Sequence, residues 1–294
     1  MYSVTSNFFG KMFNSALLVA AIWLIVGVGE VSAAPIAAAY PEQRLTIAGT
    51  GDSQPLLRLV AKYFEQDNIE QNIFIDVPDS IGSGGGILAL KKGVAQLART
   101  ARPIKKREHN GLISIPFAIS PIVFAVHPSV TWLDNLTSEQ VLAIYSGKAR
   151  NWSEFGGGDH KIYVVDRERG DSSLRILEKS FVNWNDKLQV GKVFYSTDSA
   201  AKAVAKHRFT IGYMPLSVAL GYGLKVLTID GIAPDESAVV SGQYPHILYF
   251  ELVGKKPVTG WEKKFILYMF TPKIQRFMQK IGVYPIAGGL PTEL

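Results

Sequence analysis

The sequence predicts an α/β chain built on a parallel sheet flanked by helices. Three observations carry the prediction. Short apolar, β-branched runs alternate with segments of helical periodicity. Glycine-rich turns separate strand from helix in several places. The alternation begins near Leu45, behind an N-terminal stretch of different composition.

That N-terminal stretch comes first. Lys11 precedes the apolar run Ala16–Val28, which ends in Val31-Ser32-Ala33-Ala34. A basic start, a run of 13 apolar or small residues and a small-x-small exit describe a secretory signal peptide over residues 1–33, cleaved after Ala33. An uncleaved anchor is the alternative. The run falls short of the roughly 20 residues that span a bilayer, and the small-residue exit before Pro35 favours cleavage.

Residues 35–43 form a short Ala/Pro linker. Leu45–Ala48 reads as a strand, Gly49–Ser53 as a turn, and Pro55–Asp67 as a helix with Leu56, Leu59, Val60, Tyr63 and Phe64 on one face. Ile73–Val77 is the next strand. The glycine turn Gly82–Gly86 follows, then a helix to about Lys92, then a short strand over Gln96–Ala98. This βαβαβ order implies parallel pairing. Ile115–His127 is a long apolar run broken by Pro116 and Pro121, suited to carry the chain from one lobe into another. Thr137–Tyr145 reads as a helix with Thr137 and Gln140 as a capping box. Beyond it come a strand at Ile162–Val165, helices at Asp171–Phe181 and Ser199–Lys206, a strand at Ile211–Met214, and terminal helices at Glu262–Phe270 and Thr271–Ile281.

The chain contains no cysteine. A disulfide framework, a lipid-modified cysteine anchor, thiolate metal sites and cysteine catalysis are therefore excluded. Export without a lipid anchor suggests the periplasm. The net charge is +6, and removal of residues 1–33 leaves it unchanged because Lys11 and Glu30 cancel. A modest positive balance suits an anionic ligand or ordinary solubility alike.

Three strand-to-helix junctions share one chemistry. They are Gly49-Thr50-Gly51-Asp52-Ser53-Gln54-Pro55, Ile81-Gly82-Ser83-Gly84-Gly85-Gly86, and Arg167-Glu168-Arg169-Gly170-Asp171-Ser172-Ser173. A helix start presents unpaired N–H donors and a partial positive charge, and so receives oxyanions. Ser53, Ser83 and Ser173 add hydroxyl donors, and Arg167 adds a bidentate cation. Each junction taken singly also fits a capped helix behind an ordinary turn. Neither glycine loop ends in Gly-Lys-Ser/Thr or carries Gly-x-Gly-x-x-Gly with an acidic partner, so nucleotide binding is disfavoured.

In this order the loops resemble those of the periplasmic phosphate-binding proteins of bacterial ABC transporters. The resemblance runs from about Leu45 to Ile286. It rests on Thr46–Gly51, Ile81–Ile87, Leu97–Pro103, Leu142–Lys148, Asn151-Trp152, Val164–Ser173, Ile211–Tyr213 and Gly282–Ile286. It implies the type II periplasmic binding protein fold: two α/β lobes with a ligand cleft between them. The crossings fall near Pro121–Val126 and Gly212–Pro215. Lobe I would combine residues 34–121 and 214–294, and lobe II residues 122–213.

The resemblance also implies a site made of Ser53, Gln54, Ser83, Gly84, Arg167, Asp171, Ser172 and Ser173, with no cofactor, metal or catalytic residue. Inorganic phosphate or a similar oxyanion would be the ligand and an ABC permease the partner, with a monomeric chain and no nucleic acid. Three positions depart from the family pattern. Ala101 stands where some members carry an aspartate that accepts a proton from hydrogen phosphate. Asp171 and Ser172 replace a serine and a glycine. Asp171 either takes over the missing acceptor role or caps its helix and points away. Arg99 and Arg102 are candidates to enter the cleft or to pair on the surface.

Other classes fit less well. The five histidines form no His-x-x-x-His pair, there is no Gly-x-Ser-x-Gly elbow, and Asp159-His160 with Asp166 is the best catalytic set available. Lys105-Lys106-Arg107 lacks the aromatic interleaving of a single-strand nucleic-acid groove. A clamshell sensor or accessory protein with an altered anion site is the functional alternative.

Overall fold

The computed structural model describes residues 43–184 and 190–286. The expected signal peptide and residues 35–42 of the expected linker lie outside the described residues, and Gln43, the linker's last expected residue, opens the first strand. Strand β1 (Gln43–Gly49) buries Leu45 and Ile47. Helix α1 (Gln54–Asp67) carries Pro55 in its first turn and buries Leu56, Leu57, Val60, Ala61 and Phe64. Leu59, expected on that face, is exposed, and Leu57 takes the inward place. Strand β2 (Ile73–Asp76), helix α2 (Gly82–Lys91) and strand β3 (Leu97–Thr100) complete the unit. β1 lies in the middle, parallel to β2 on one side and to β3 on the other, as the βαβαβ pattern predicts. The glycine run is not a turn ahead of α2. It is the first turn of the helix itself, which begins at Gly82 with φ +70°.

Strand β4 (Leu112–Val126) is longer than the apolar run suggests, and its two prolines do not break it. Strand β5 (Asn135–Leu136) and helix α3 (Ser138–Tyr145) follow, and Thr137 and Gln140 form the expected capping box. A second βαβαβ unit consists of β6 (Tyr163–Arg167), α4 (Ser172–Ser180), β7 (Lys192–Phe194), α5 (Thr197–Lys206) and β8 (Thr210–Pro215). Its first strand again lies in the middle, parallel to both others. The remaining described elements are α6 (Leu216–Gly221), β9 (Lys225–Val226), β10 (Thr228–Ile229), α7 (Glu236–Val240), β11 (Ile247–Lys255), α8 (Gly260–Met269), α9 (Pro272–Lys280) and β12 (Tyr284–Pro285).

The hydrogen-bonded path through the sheet runs β2-β1-β3-β11-β4-β8-β6-β7. The sheet is therefore mixed rather than wholly parallel: β11 runs antiparallel to β3 and β4, and β8 antiparallel to β4. Strand β11 is a nearly continuous apolar run that the periodicity reading did not assign. β4 changes partner along its length. Leu112–Pro121 pairs with β11, and Ile122–Val126 with β8. Proline has no N–H to give a ladder and is tolerated at bulges and irregular points. Pro116 pairs with Glu251 beside the register shift between Phe250 and Glu251, and Pro121 lies where the pairing with β11 stops and β8 takes over.

The main core draws on both βαβαβ units. Phe64 of α1 makes edge-on contacts with Trp261, Phe265 and Tyr268 of α8. Trp152, fully buried, donates its indole N–H to the Phe209 carbonyl at 2.9 Å. Among the described residues no helix is long and apolar enough to cross a membrane.

Candidate functional site

In open α/β sheets, ligands bind beyond the carboxyl ends of the strands. Four strand-to-helix junctions of this chain lead into helix starts there: β1 to α1, β2 to α2, β6 to α4 and β7 to α5.

At the first junction, Gly49 adopts φ +150°, and a Cβ on it would lie 2.0 Å from the Arg99 carbonyl oxygen. Only glycine lets β1 leave the sheet so close to β3. Asp52 is buried. One carboxylate oxygen accepts from the Thr50 hydroxyl at 3.2 Å, and the other from the Thr197 hydroxyl at 2.9 Å. Ser53 holds the N-cap position of α1, yet its side chain makes no capping bond. Its hydroxyl is buried without a hydrogen-bond partner. The Gln54 side chain turns away, donating to the Pro78 carbonyl at 3.0 Å and to Asp79 at 3.3 Å, while its N–H meets the Gly51 carbonyl at 3.3 Å.

At the second junction, the Ser83 hydroxyl accepts from the Ala101 N–H at 3.2 Å and lies 3.3 Å from the Ser172 hydroxyl. A Cβ on Gly84 would meet nothing within 4 Å. One on Gly86 would lie 2.6 Å from both the Ala48 oxygen and the Gly49 Cα. Gly84 thus keeps the helix start open, whereas Gly86 lets α2 ride on β1.

At the third junction, Arg167 ends β6 with its guanidinium buried among partners. It donates to the Phe194 carbonyl at 3.1 Å, the Thr197 hydroxyl at 2.9 Å and Glu168 at 3.2 Å, and pairs with Asp171 at 2.9 Å. Asp166 accepts from the Arg167 N–H at 2.8 Å and the Tyr213 hydroxyl at 2.7 Å, which holds this end of the strand. Asp171 caps α4, accepting from the Leu174 N–H at 2.9 Å. The capping aspartate therefore points at Arg167 with its other oxygen. The Ser173 hydroxyl is buried without a hydrogen-bond partner.

Two contacts tie the junctions together: Ser83 to Ser172, and Asp52 through Thr197 to Arg167. Ser83, Arg167, Asp171 and Ser172 thus share one cluster, with Ser53 and Ser173 next in sequence to its members. Thr197 and Asp52 are the residues that sequence reasoning did not place in the site. The available signal was Ser196-Thr197 at a fourth capped helix start.

The cluster is rich in carboxylates. Burial pushes the Asp171 carboxyl up to about 7, reinforced by Asp52 and opposed by Arg167 and the Leu174 N–H. Burial likewise raises Asp52, against the pull of Arg167. Burial alone would lower Arg167, but Asp171, Asp52 and Glu168 outweigh it and hold the guanidinium above its ordinary value.

The two other arginines have different duties. Arg99 is fully buried and donates to the Ile47, Thr50 and Pro78 carbonyls, so it braces the first junction rather than the cluster. Burial lowers it to about 10. Arg102 forms a two-pronged pair with Glu108 at 2.8 and 2.9 Å. The catalytic alternative has no shared geometry. His160 stacks on Phe209, Asp159 accepts from Asn151, and Asp166 accepts from Tyr213.

The family model described as the PBP superfamily domain matches residues 33–273. The chain belongs to the PBP superfamily. Within that superfamily it is 27% identical over 235 residues to the phosphate-binding protein PstS of Bacillus subtilis (strain 168), covering 79% of this chain and 77% of that protein. It is 25% identical over 215 residues to the PstS of Borreliella burgdorferi, covering 69% and 75%. Among solved structures, a putative phosphate ABC transporter substrate-binding protein with bound phosphate from Clostridium perfringens superposes with a TM-score of 0.72 at 24% identity, covering 83% of this chain and all (100%) of that one. An ABC-type phosphate transport receptor from Vibrio cholerae gives 0.58 at 23% identity, covering 82% and 99%. The fold is that of the type II periplasmic binding proteins.

Proposed function

We propose that this PBP superfamily chain is an exported solute-binding protein, not an enzyme, that captures inorganic phosphate in the periplasm for an ABC permease and acts as a monomer. The ligand would lie where the starts of α1, α2 and α4 converge, between a lobe of residues 34–121 and 214–294 and a lobe of residues 122–213. The partner change of β4 at Pro121/Ile122, with β8 paired to its second part, supports that division.

One observation carries the reading of the site. Two serine hydroxyls at helix starts, Ser53 and Ser173, are fully buried and unpartnered, each next in sequence to a member of the cluster that holds Arg167. A buried hydroxyl without a partner is costly, about 1–3 kcal/mol, unless a ligand accepts from it. An oxyanion supplies the acceptors, and Ser83, Ser172, the N–H group at Gly84 and Arg167 complete the donor set, whereas the Gln54 N–H is already engaged by the Gly51 carbonyl. The names of the Bacillus and Borreliella relatives support phosphate as the oxyanion.

Asp171 selects among anions. Phosphate near neutral pH carries a proton that a carboxylate accepts, whereas sulfate is fully ionised and is repelled by one. Calorimetric titration with phosphate, sulfate and arsenate from pH 5 to 8 tests the proposal. Phosphate and arsenate are expected to bind and sulfate to bind at least tenfold more weakly. No oxyanion binding defeats the proposal, and a preference for sulfate redirects it. Unchanged affinity and pH dependence in Asp171→Asn would remove the acceptor role.

A further inference from the structure

The opposite end of the second βαβαβ unit holds a groove of about 700 Å³ between β6, β7, the last turns of α5 and the start of β8. That volume lies within the roughly 300–1,000 Å³ of small-molecule sites. The groove and the anion cluster open at opposite ends of β6 and meet only at Phe194, whose ring lines the groove and whose carbonyl accepts from Arg167. Tyr163 and Arg167 stand at opposite ends of β6, about 13 Å apart at the rise of an extended strand.

Its lining has an uneven chemistry. Ile162, Val164 and Ala203 supply apolar surface, and among the described residues no aspartate or glutamate contributes. Three cations border it, each laid against an aromatic ring that also lines it. Lys161 lies 5.7 Å from the Tyr163 ring, Lys192 5.4 Å from Phe194, and the Arg208 guanidinium 5.2 Å from Phe209. Among the described residues none of these three cations is ion-paired to a carboxylate. Tyr163 is 51% exposed.

Cations gathered without carboxylates repel one another, and the aromatic faces offset only part of that cost. An anionic head relieves it, and an apolar body attached to that head covers the rings. We infer that this groove is a second ligand site, specific for a small anionic amphiphile: a carboxylate, sulfonate or phosphate head on an aryl or alkyl body. Inorganic phosphate has no body to cover the rings and is not its ligand. The inference does not depend on the phosphate reading of the anion cluster.

The test is titration of the native full chain with 8-anilinonaphthalene-1-sulfonate and with dodecyl phosphate below its micellar concentration, with and without saturating inorganic phosphate. One saturable site is expected, undisturbed by phosphate. The uncharged N-phenyl-1-naphthylamine is expected to bind at least tenfold more weakly. The charge-reversed pair Lys161→Glu/Arg208→Glu is expected to lose at least tenfold in affinity. Should that pair fail to fold by circular dichroism, the half-exposed Tyr163→Ser keeps the test open, with an expected loss of about fivefold. No saturable binding, equal binding of the uncharged analogue, unchanged affinity in the folded variants, displacement by phosphate, or binding only to anionic vesicles would each overturn the inference.

Discussion

Replacing Asp171 by asparagine isolates one buried carboxylate of the anion cluster. A carboxyl moved from 3.8 to about 7 corresponds to about 4 kcal/mol of preference for the protonated form in the folded chain. The sign follows from linkage. Between about pH 4 and 7 the folded chain holds a proton that the unfolded chain has released, so stability falls as pH rises through that window and levels off above about 7. Asparagine has no proton to lose. Its amide oxygen can still accept from the Leu174 N–H, so the cap of α4 is kept. Arg167 retains Glu168 and the Thr197–Asp52 link. Urea unfolding at pH 5, 6, 7 and 8 is the assay. With asparagine standing in for the protonated carboxyl, the variant and its parent are expected to be equally stable only below about pH 4; the variant's advantage is about 1–2 kcal/mol at pH 5 and grows to about 4 kcal/mol at pH 8. A residual slope of the same sign belongs to Asp52, which burial also raises. Parallel profiles, or a variant less stable than its parent at pH 8, would refute the reasoning.

Three further outcomes can be measured directly. Arg167→Lys removes a forked, charge-assisted donor, and each such bond is worth about 1.5–3 kcal/mol, so calorimetry should show phosphate affinity falling at least tenfold, roughly. Ser173→Ala deletes a hydroxyl that has no protein partner. Its unfolding free energy should stay within about 1 kcal/mol of the parent while phosphate affinity falls about fivefold or more; an equal loss of stability would make the hydroxyl structural. Gly86→Ala drives a Cβ to 2.6 Å from backbone atoms of β1. Thermal melting should report a loss of about 1–3 kcal/mol, and an unchanged melting temperature would mean that α2 can lift off the strand.

The features legible in the sequence are local ones. The capping box of α3 joins Thr137 to Gln140, the proline of α1 stands in its first turn, and Asp171 caps α4 through Leu174. Each is settled within a few residues by hydrogen-bonding chemistry that repeats wherever the same residue types recur. The alternation of strand and helix periods likewise predicts the first parallel βαβαβ unit and all of the second except its short strand β7, whose three residues carry too little period to be read. The resemblance of the loops points to the region of the anion cluster, because the residues at helix starts identify themselves by type.

What only the tertiary structure decided is where long side chains and distant strands end up. Thr197 meets Asp52 across 145 positions, Ser83 meets Ser172 across 89, and Arg99 reaches Ile47 across 52. No local pattern encodes such pairings, since an arginine that braces a loop and one that faces a ligand have the same sequence signature. β11 was invisible for a related reason: a continuous apolar run has no period, and its role depends on the strands it joins. Asp171 shows the division most plainly. Its place at a helix start and its reach to Arg167 four positions earlier are local, but the burial and the neighbouring Asp52 that raise its carboxyl come from the rest of the fold, and they determine the charge the site carries.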